Sequence, residues 1–255
     1  MGFRTVLIEK ASKINLDLNN IVVQSFNEHY WINIDEIDTI IIDDPRCNIS
    51  LRLLSELCEN GINMIFTNSS HMPVGCLNTL FNHSRASKKI FSQINCDNNS
   101  KVYLWTEIVR NKILLQIDVL NKIGKTEKIN ILEKYIEELE KGDITNREGL
   151  ASRTYFKEIF GENFKRFEPD IINYCINYCY QIIRSKIAQE IVANGYNPSL
   201  GIFHRSEYNS YNLSDDFIEV FRPIVDLYVY NILLYNEEEY LTPELKEKMS
   251  NILNQ

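Results

Sequence analysis

Ile62-Asn63-Met64-Ile65-Phe66, followed by Thr67-Asn68-Ser69-Ser70-His71-Met72-Pro73-Val74-Gly75, is the stretch on which the fold turns. The first five residues form a short buried strand, and the next nine are rich in turn formers. Upstream, the chain reads as β. Alternation runs through Thr5-Val6-Leu7-Ile8, Lys13 to Leu18, Ile21-Val22-Val23 and Tyr30 to Ile34, and an apolar strand Thr39-Ile40-Ile41-Ile42 stops at Asp43-Asp44-Pro45. The Asn19-Asn20 pair between two of these strands predicts a hairpin turn. One amphipathic helix, about Ser50 to Glu59, ends at Asn60-Gly61. Downstream, from about Phe81, only 3.6-residue periodicity is visible. It predicts helices over about 84–95, 101–122, 127–140, 147–159, 170–194, 215–235 and 243–253. Pro169 fits the first helical position, Gly195 a C-cap, and Thr242-Pro243 the opening of the last helix. The acidic run Glu237-Glu238-Glu239 reads as a solvated loop. The expected fold class is α+β, a small N-terminal β domain (1–78) followed by a larger all-helical C-terminal domain (79–255). The boundary falls somewhere in Thr67 to His83.

A chain of 255 residues is long enough for one large domain or two small ones, and 44% hydrophobic with 24% charged residues is ordinary for a globular protein. No apolar run reaches the roughly 18 residues of a membrane span. Glu9 interrupts the first apolar run too early for a signal peptide, and Val6 fails the myristoylation pattern. The expected location is the cytoplasm, without membrane contact. The six cysteines do not form a disulfide framework; Cys175 and Cys179 share a helix face and read as core rather than as half a zinc site. Net charge is -8, yet residues 85–134 carry 10 Lys+Arg against 5 Asp+Glu. A local basic stripe of this kind either holds a phosphate backbone or is simply a solvated helix surface.

Three further segments bear chemistry. They are Asn146-Arg147-Glu148-Gly149-Leu150-Ala151-Ser152-Arg153-Thr154-Tyr155-Phe156, then Pro198-Ser199-Leu200-Gly201-Ile202-Phe203-His204, then Asp216-Phe217-Ile218-Glu219-Val220-Phe221-Arg222-Pro223. Together they offer an imidazole and at least two carboxylates beside three arginines. Oxygen ligands suit Mg2+, and adding histidine tilts the choice toward Mn2+. Arginine beside such a cation matches phosphate oxygens, so the set points to metal-assisted chemistry on a phosphodiester. Each residue also has a plain structural reading. Glu148 suits the positive end of a helix. His204 suits a hydrogen-bonded loop; as a ligand it must be neutral, its second nitrogen held by an acceptor. Asp216 with Glu219 resembles a capping box, with Asp215 solvated or a competing cap. Arg222 lies one turn beyond Glu219 and suits either a phosphate or an ion pair with that glutamate. His83-Ser84-Arg85 opens a helix that can hold phosphate or is ordinarily capped. Tyr103 and Trp105 can stack on bases, or belong to the core.

With these segments quoted, the chain resembles the CRISPR-associated integrase family, the first-numbered core protein of CRISPR adaptation. The resemblance rests on Glu-Gly-x-Ala-Ser-Arg-x-Tyr-Phe at Glu148, Asn-Pro-x-Leu-Gly-x-x-His ending at His204, and Asp-x-x-Glu-x-Phe-Arg-Pro from Asp216. The opening Gly2-Phe3-Arg4-Thr5-Val6 and the length are similar to type II systems. Val220 stands where the family often has proline. The resemblance implies an endonuclease and integrase that inserts short foreign DNA into a CRISPR array by 3′-hydroxyl transesterification, with Mg2+ or Mn2+ as cofactor. It implies Glu148, His204 and Glu219 as catalytic metal ligands, and less securely Asp216, Arg222, Arg153 and Arg85 as DNA-contacting positions. The implied partners are prespacer and leader-repeat DNA, a second copy of the chain through the N-terminal β domain, a small ferredoxin-like second core protein, and other type II adaptation proteins. The competing readings are a branched-DNA nuclease without array specificity and a catalytically silent DNA-binding scaffold whose acids merely cap helices.

Overall fold

Ile40, Ile41 and Ile42 are all buried, which a strand covered on one face cannot achieve because successive side chains point to opposite sides. The computed structural model, which describes residues 2–25, 28–77, 79, 83–234 and 240–254, shows what covers each face. The N-terminal part runs β1 (Arg4–Ile8), β2 (Lys13–Asp17), β3 (Asn20–Gln24), β4 (His29–Asn33), β5 (Ile37–Ile42), β6 (Asn48–Ile49), α1 (Leu51–Glu59), β7 (Asn63–Thr67) and β8 (Pro73–Leu77). One sheet has the order β1-β5-β7-β8, its first three strands parallel and β8 antiparallel to β7. The other has the order β4-β3-β2-β6, an antiparallel meander with β6 parallel on its edge. Ile40 and Ile42 pack with Ile14, Ile21, Leu53 and Leu57 from the second sheet and α1. Ile41 and Ile65 belong instead to a core shared with the C-terminal helices.

Those helices are α2 (Ala86–Ile94), α3 (Asn98–Lys122), α4 (Ile129–Glu137), α5 (Arg147–Phe160), α6 (Ile171–Ala193), α7 (Asn212–Leu233) and α8 (Pro243–Ser250), closed by a 3-10 turn Asn251–Asn254. Two cores organise them. Trp105, Val109, Ile113, Leu120, Leu132 and Tyr155 join α3, α4 and α5. Cys175, Cys179, Ile182, Val225, Val229 and Met249 join α6, α7 and α8 to the back of the first sheet. The cysteine pair is therefore core, with Cys179 Sγ 3.3 Å from Met249 Sδ. A buried ion cluster pins α8 to the carboxyl ends of the parallel strands. Lys246 Nζ lies 2.5 Å from Asp43 Oδ2 and 3.2 Å from Glu9 Oε1, and Thr67 Oγ1 donates to Asp43 Oδ1 at 2.6 Å.

The fold class is as expected, and several local expectations are corrected. The hairpin turn is Leu18-Asn19, with Leu18 in the left-handed region at φ 52°, and Asn20 already pairs with Asp17 in the ladder. The segment expected to be all turn closes at Met72 and returns as β8. Pro73 is tolerated because it starts an edge strand, where a missing N–H breaks no ladder. Gly75 leaves room for the Phe66 ring, whose tip would stand 2.4 Å from a Cβ there unless the ring swung aside. Pro169 precedes the N-cap Asp170, whose side chain accepts from the amide of Asn173, so it is not the first helical residue. Gly195 takes φ 75° after α6, and Thr242 caps α8 with Pro243 behind it. No strand follows β8 among the described residues. The expected boundary residue 78 and the run Glu237-Glu238-Glu239 lie outside the described residues.

Candidate active site

Glu148 stands in the first turn of α5, and the preceding loop is built to leave its carboxylate unoccupied by capping. Asn146, at φ 54°, caps the helix by accepting from the Gly149 amide. Asp143 accepts from the amides of Arg147 and Glu148. Gly149 permits the cap, because a Cβ there would come within 2.8 Å of the Asn146 side chain. With the backbone donors taken, Glu148 Oε1 turns inward to Ser152 Oγ at 2.9 Å and to Lys112.

The third segment does not cap a helix, which corrects the capping-box reading. Helix α7 begins at Asn212, so Asp216 and Glu219 lie inside it. Asp216 is fully buried and reaches the loop that carries His204. It accepts from the amides of Ile202 (2.5 Å), Phe203 (3.2 Å) and His204 (3.0 Å), and from His204 Nδ1 at 2.8 Å. Its carboxylate is consumed by these donors, which excludes the DNA-contact role expected of it. It is instead the acceptor that orients the imidazole through Nδ1, so that Nε2 is the nitrogen not engaged by it. That hydrogen bond raises the His204 pKa against the opposing effect of burial. Gly201 lets the loop close, since a Cβ would lie 2.1 Å from the His204 carbonyl oxygen. Trp105 stacks on Phe203 with centroids 4.1 Å apart and meets the His204 ring edge-on, so it is a core residue that backs the histidine. Tyr103 is exposed. Asp215 is neither solvated nor a cap; Arg184 Nε binds it at 2.6 Å.

Two carboxylates from different helices then meet on one ammonium. Lys112, from α3, donates to Glu148 Oε1 and, at 2.5 Å, to Glu219 Oε2. Glu219 Oε1 accepts from Arg222 Nε at 2.8 Å, and the Arg222 guanidinium lies 4.3 Å over the Tyr180 ring. Tyr180 is fixed in turn by donating to the buried Asp226 at 2.6 Å. Burial works to raise the Glu219 carboxyl, but Lys112 and Arg222 outweigh it and hold the pKa at about 2. Burial likewise opposes the charge on Lys112, and the two glutamates reverse that and raise its pKa. Arg222 thus makes the ion pair that its spacing allowed.

Glu148, His204 and Glu219 line one cavity of about 920 Å³. Seven lysines and arginines line it against three aspartates and glutamates, so a positive concavity surrounds the candidate ligands despite the net charge of -8. Arg153 and Arg222 are among the seven, but Arg85 is not. Of the basic segment 85–134 only Lys112 reaches the cavity; Arg153, Arg166 and Arg184 come from α5, the following loop and α6. Sequence reasoning missed Lys112, Asp216's positioning role and the Arg184–Asp215 pair. The charge tally signalled a basic helix but not which lysine points inward.

As placed, no three such donor residues among those described stand close enough to hold an ion. The donor set nonetheless fits one: two carboxylates converge on a single cationic point, and an imidazole anchored through Nδ1 lines the same cavity. No helix among the described residues is long and apolar enough to cross a membrane.

The family model for CRISPR associated protein Cas1 matches residues 5–240. The chain is 34% identical over 257 residues to a CRISPR-associated endonuclease Cas1 of Neisseria meningitidis serogroup C (strain 8013), covering 100% of this chain and 84% of that protein. Its fold is similar to a casposase bound to integration product, with a TM-score of 0.83 and 19% identity, covering 98% of this chain and 81% of that one. It is also similar to a chain of a Cas6-RT-Cas1–Cas2 complex, with a TM-score of 0.76 and 18% identity, covering 98% and 32%. The chain belongs to the CRISPR associated protein Cas1 family.

Proposed function

We propose that the protein is a metal-dependent DNA endonuclease and integrase that inserts short foreign DNA into a CRISPR array. The observation that carries this reading is the convergence of Glu148 and Glu219 on one point in a basic cavity that His204 also lines. Glu148, Glu219 and Nε2 of His204 would hold a Mg2+ or Mn2+ ion. Such an ion, when bound, polarises a phosphoryl oxygen and stabilises charge on the attacking or leaving oxygen. The chain's own residues do the rest. Asp216 keeps His204 Nδ1 occupied and the ring aimed. Arg153, Arg184 and Arg222 hold the phosphates on either side of the scissile bond. In integration a 3′-oxygen forms a new ester to phosphorus as the repeat's phosphodiester breaks and its 3′-oxygen leaves. The bonds are of equal kind, so no nucleotide energy source is needed. Water in place of the 3′-hydroxyl gives hydrolysis.

The partners in this reading are prespacer and leader-repeat DNA, the small ferredoxin-like second core protein, and further type II adaptation proteins in the cytoplasm. The casposase and the Cas1–Cas2 complex that share the fold support DNA and Cas2 as partners. Residues 1–78 would form the dimerising β domain and 79–255 the catalytic domain. The β4 edge, with Tyr30 and Trp31 exposed, is a sheet edge that a second copy can cover.

One observation favours a silent scaffold: Lys112 and Arg222 together balance the charge of both glutamates. Asp216 and Glu219 lie inside α7, which counts against the version in which the acids merely cap helices. A Mn2+-dependent strand-transfer assay on branched or supercoiled array DNA tests the choice. His204→Ala is expected to abolish transfer while DNA binding stays within a few-fold. Transfer that survives His204→Ala refutes the metal assignment, and transfer indifferent to the array sequence leaves a general branched-DNA nuclease.

A further inference from the structure

Lys112 is the most constrained cation in the cavity. Its side chain is 6% exposed, it rises from α3 between the core residues Val109 and Ile113, and its ammonium is shared by two carboxylates from helices α5 and α7. With Arg222 on the other oxygen of Glu219, two positive charges meet two negative ones. The cluster is therefore neutral before any metal arrives. A divalent ion added to it would leave two uncompensated positive charges in a half-buried place, where charge is poorly screened. Two phosphates of an incoming DNA backbone, each carrying one negative charge, compensate them and give the displaced ammonium a new acceptor.

We propose that Lys112 stands in for the cation in the DNA-free protein, holding Glu148 and Glu219 together, and so couples metal loading to the arrival of a DNA phosphate. This rests on the metal reading above and deepens it, because a site that loads its metal only with DNA does not hydrolyse idly. The coupling is reciprocal: DNA raises metal affinity by the factor by which metal raises DNA affinity. Lys112 is a positioning residue in the DNA-free state, and its removal has a sign that a merely structural lysine would not show. Losing a structural lysine weakens every function, whereas losing a competitor tightens metal binding.

The test is Mn2+ affinity, read by the loss of the free-ion paramagnetic signal, on the full chain with and without a short DNA duplex carrying 3′ overhangs. Wild type is expected to bind Mn2+ about tenfold more tightly with DNA than without it, within the usual range of coupling between sites. Lys112→Met is expected to bind Mn2+ about tenfold more tightly than wild type in the absence of DNA, and to lose most of the gain from DNA. Its metal-free melting temperature should fall and recover on adding Mn2+. Lys112→Arg, which keeps the charge, should behave as wild type. Equal Mn2+ affinity for wild type and Lys112→Met without DNA overturns the proposal. So does a wild-type affinity that DNA does not change, a result that needs no variant to fold. A wild type that takes up no Mn2+ even with DNA overturns the metal reading itself, which separates the two failures.

Discussion

Asp216→Asn is the sharpest perturbation of this site, because it changes one atom type in a fully buried group. The native carboxylate accepts from three backbone amides and from His204 Nδ1. An asparagine offers a single acceptor oxygen and turns an NH2 toward donors, so one or two of these are left unpaired, depending on which oxygen is replaced. Each unpaired buried donor costs about 1–3 kcal/mol, and relief of the buried charge offsets part of it. A net loss of about 1–4 kcal/mol is expected, or roughly 3–15 °C in melting temperature for a chain of this size. The second effect is on the imidazole. The bond to Asp216 is the largest influence raising the His204 pKa, and burial opposes it. Without that bond and that charge, burial is opposed only by the fields of Glu219 and Asp215, and the pKa should fall. The sign for stability follows. A histidine whose folded pKa is raised adds stability that is complete below its unfolded pKa and is lost as pH rises through the folded one. Wild type should lose that increment above about pH 6.5, and Asp216→Asn should lack it. The assays are imidazole titration by NMR, with His204 identified from the His204→Ala spectrum, and urea unfolding between about pH 5 and 8. Metal-dependent cleavage should fall about 10–100-fold, as for other residues that orient a metal-binding histidine. An unchanged His204 titration together with unchanged stability would refute the assignment of Asp216 as the group that holds the ring.

Three other changes separate loop closure, DNA grip and global stability. Gly201→Ala should lose about 1–3 kcal/mol through overpacking against the His204 carbonyl and the Asp216 carboxylate, and most cleavage activity with it; full activity in purified protein would show that the loop yields freely. Arg153→Ala, at an exposed position on the cavity rim, should leave unfolding midpoints unchanged and lower the slope of log K for DNA against log salt by about 1, a result that a salt titration of binding checks. Lys246→Ala leaves the buried Asp43 carboxylate without its ammonium and should cost about 3–5 kcal/mol in urea unfolding. A loss under about 1 kcal/mol would mean that water replaces the lysine.

The alternation of Lys13 to Leu18 and the 3.6-residue spacing of the later segments are local properties, and helices and strands appear where they place them. Ser50, Thr242 and Gly195 mark helix ends for the same reason: a capping side chain or a left-handed glycine acts within a few residues of itself. β8 was hidden because Pro73 and Gly75 are strand breakers everywhere except at an edge, and only the assembled sheet has edges. Pairing Asp216 with Glu219 as a capping box failed because a helix end is decided by what precedes it. Here Asn212 hydrogen-bonds the 199–206 loop and α7 begins at that residue.

By itself the sequence determined that the chain is β first and helical after, that its charge is uneven, and that Glu148, His204 and Glu219 are the donors worth bringing together. Only the tertiary structure decided that Asp216 serves the imidazole, that Lys112 rather than another lysine of its helix stands between the glutamates, and that the positive cavity is assembled mainly from α5, α6 and α7. Periodicity is set by neighbours a few residues away, whereas a shared ammonium or a buried carboxylate depends on helices more than a hundred residues apart closing on one point.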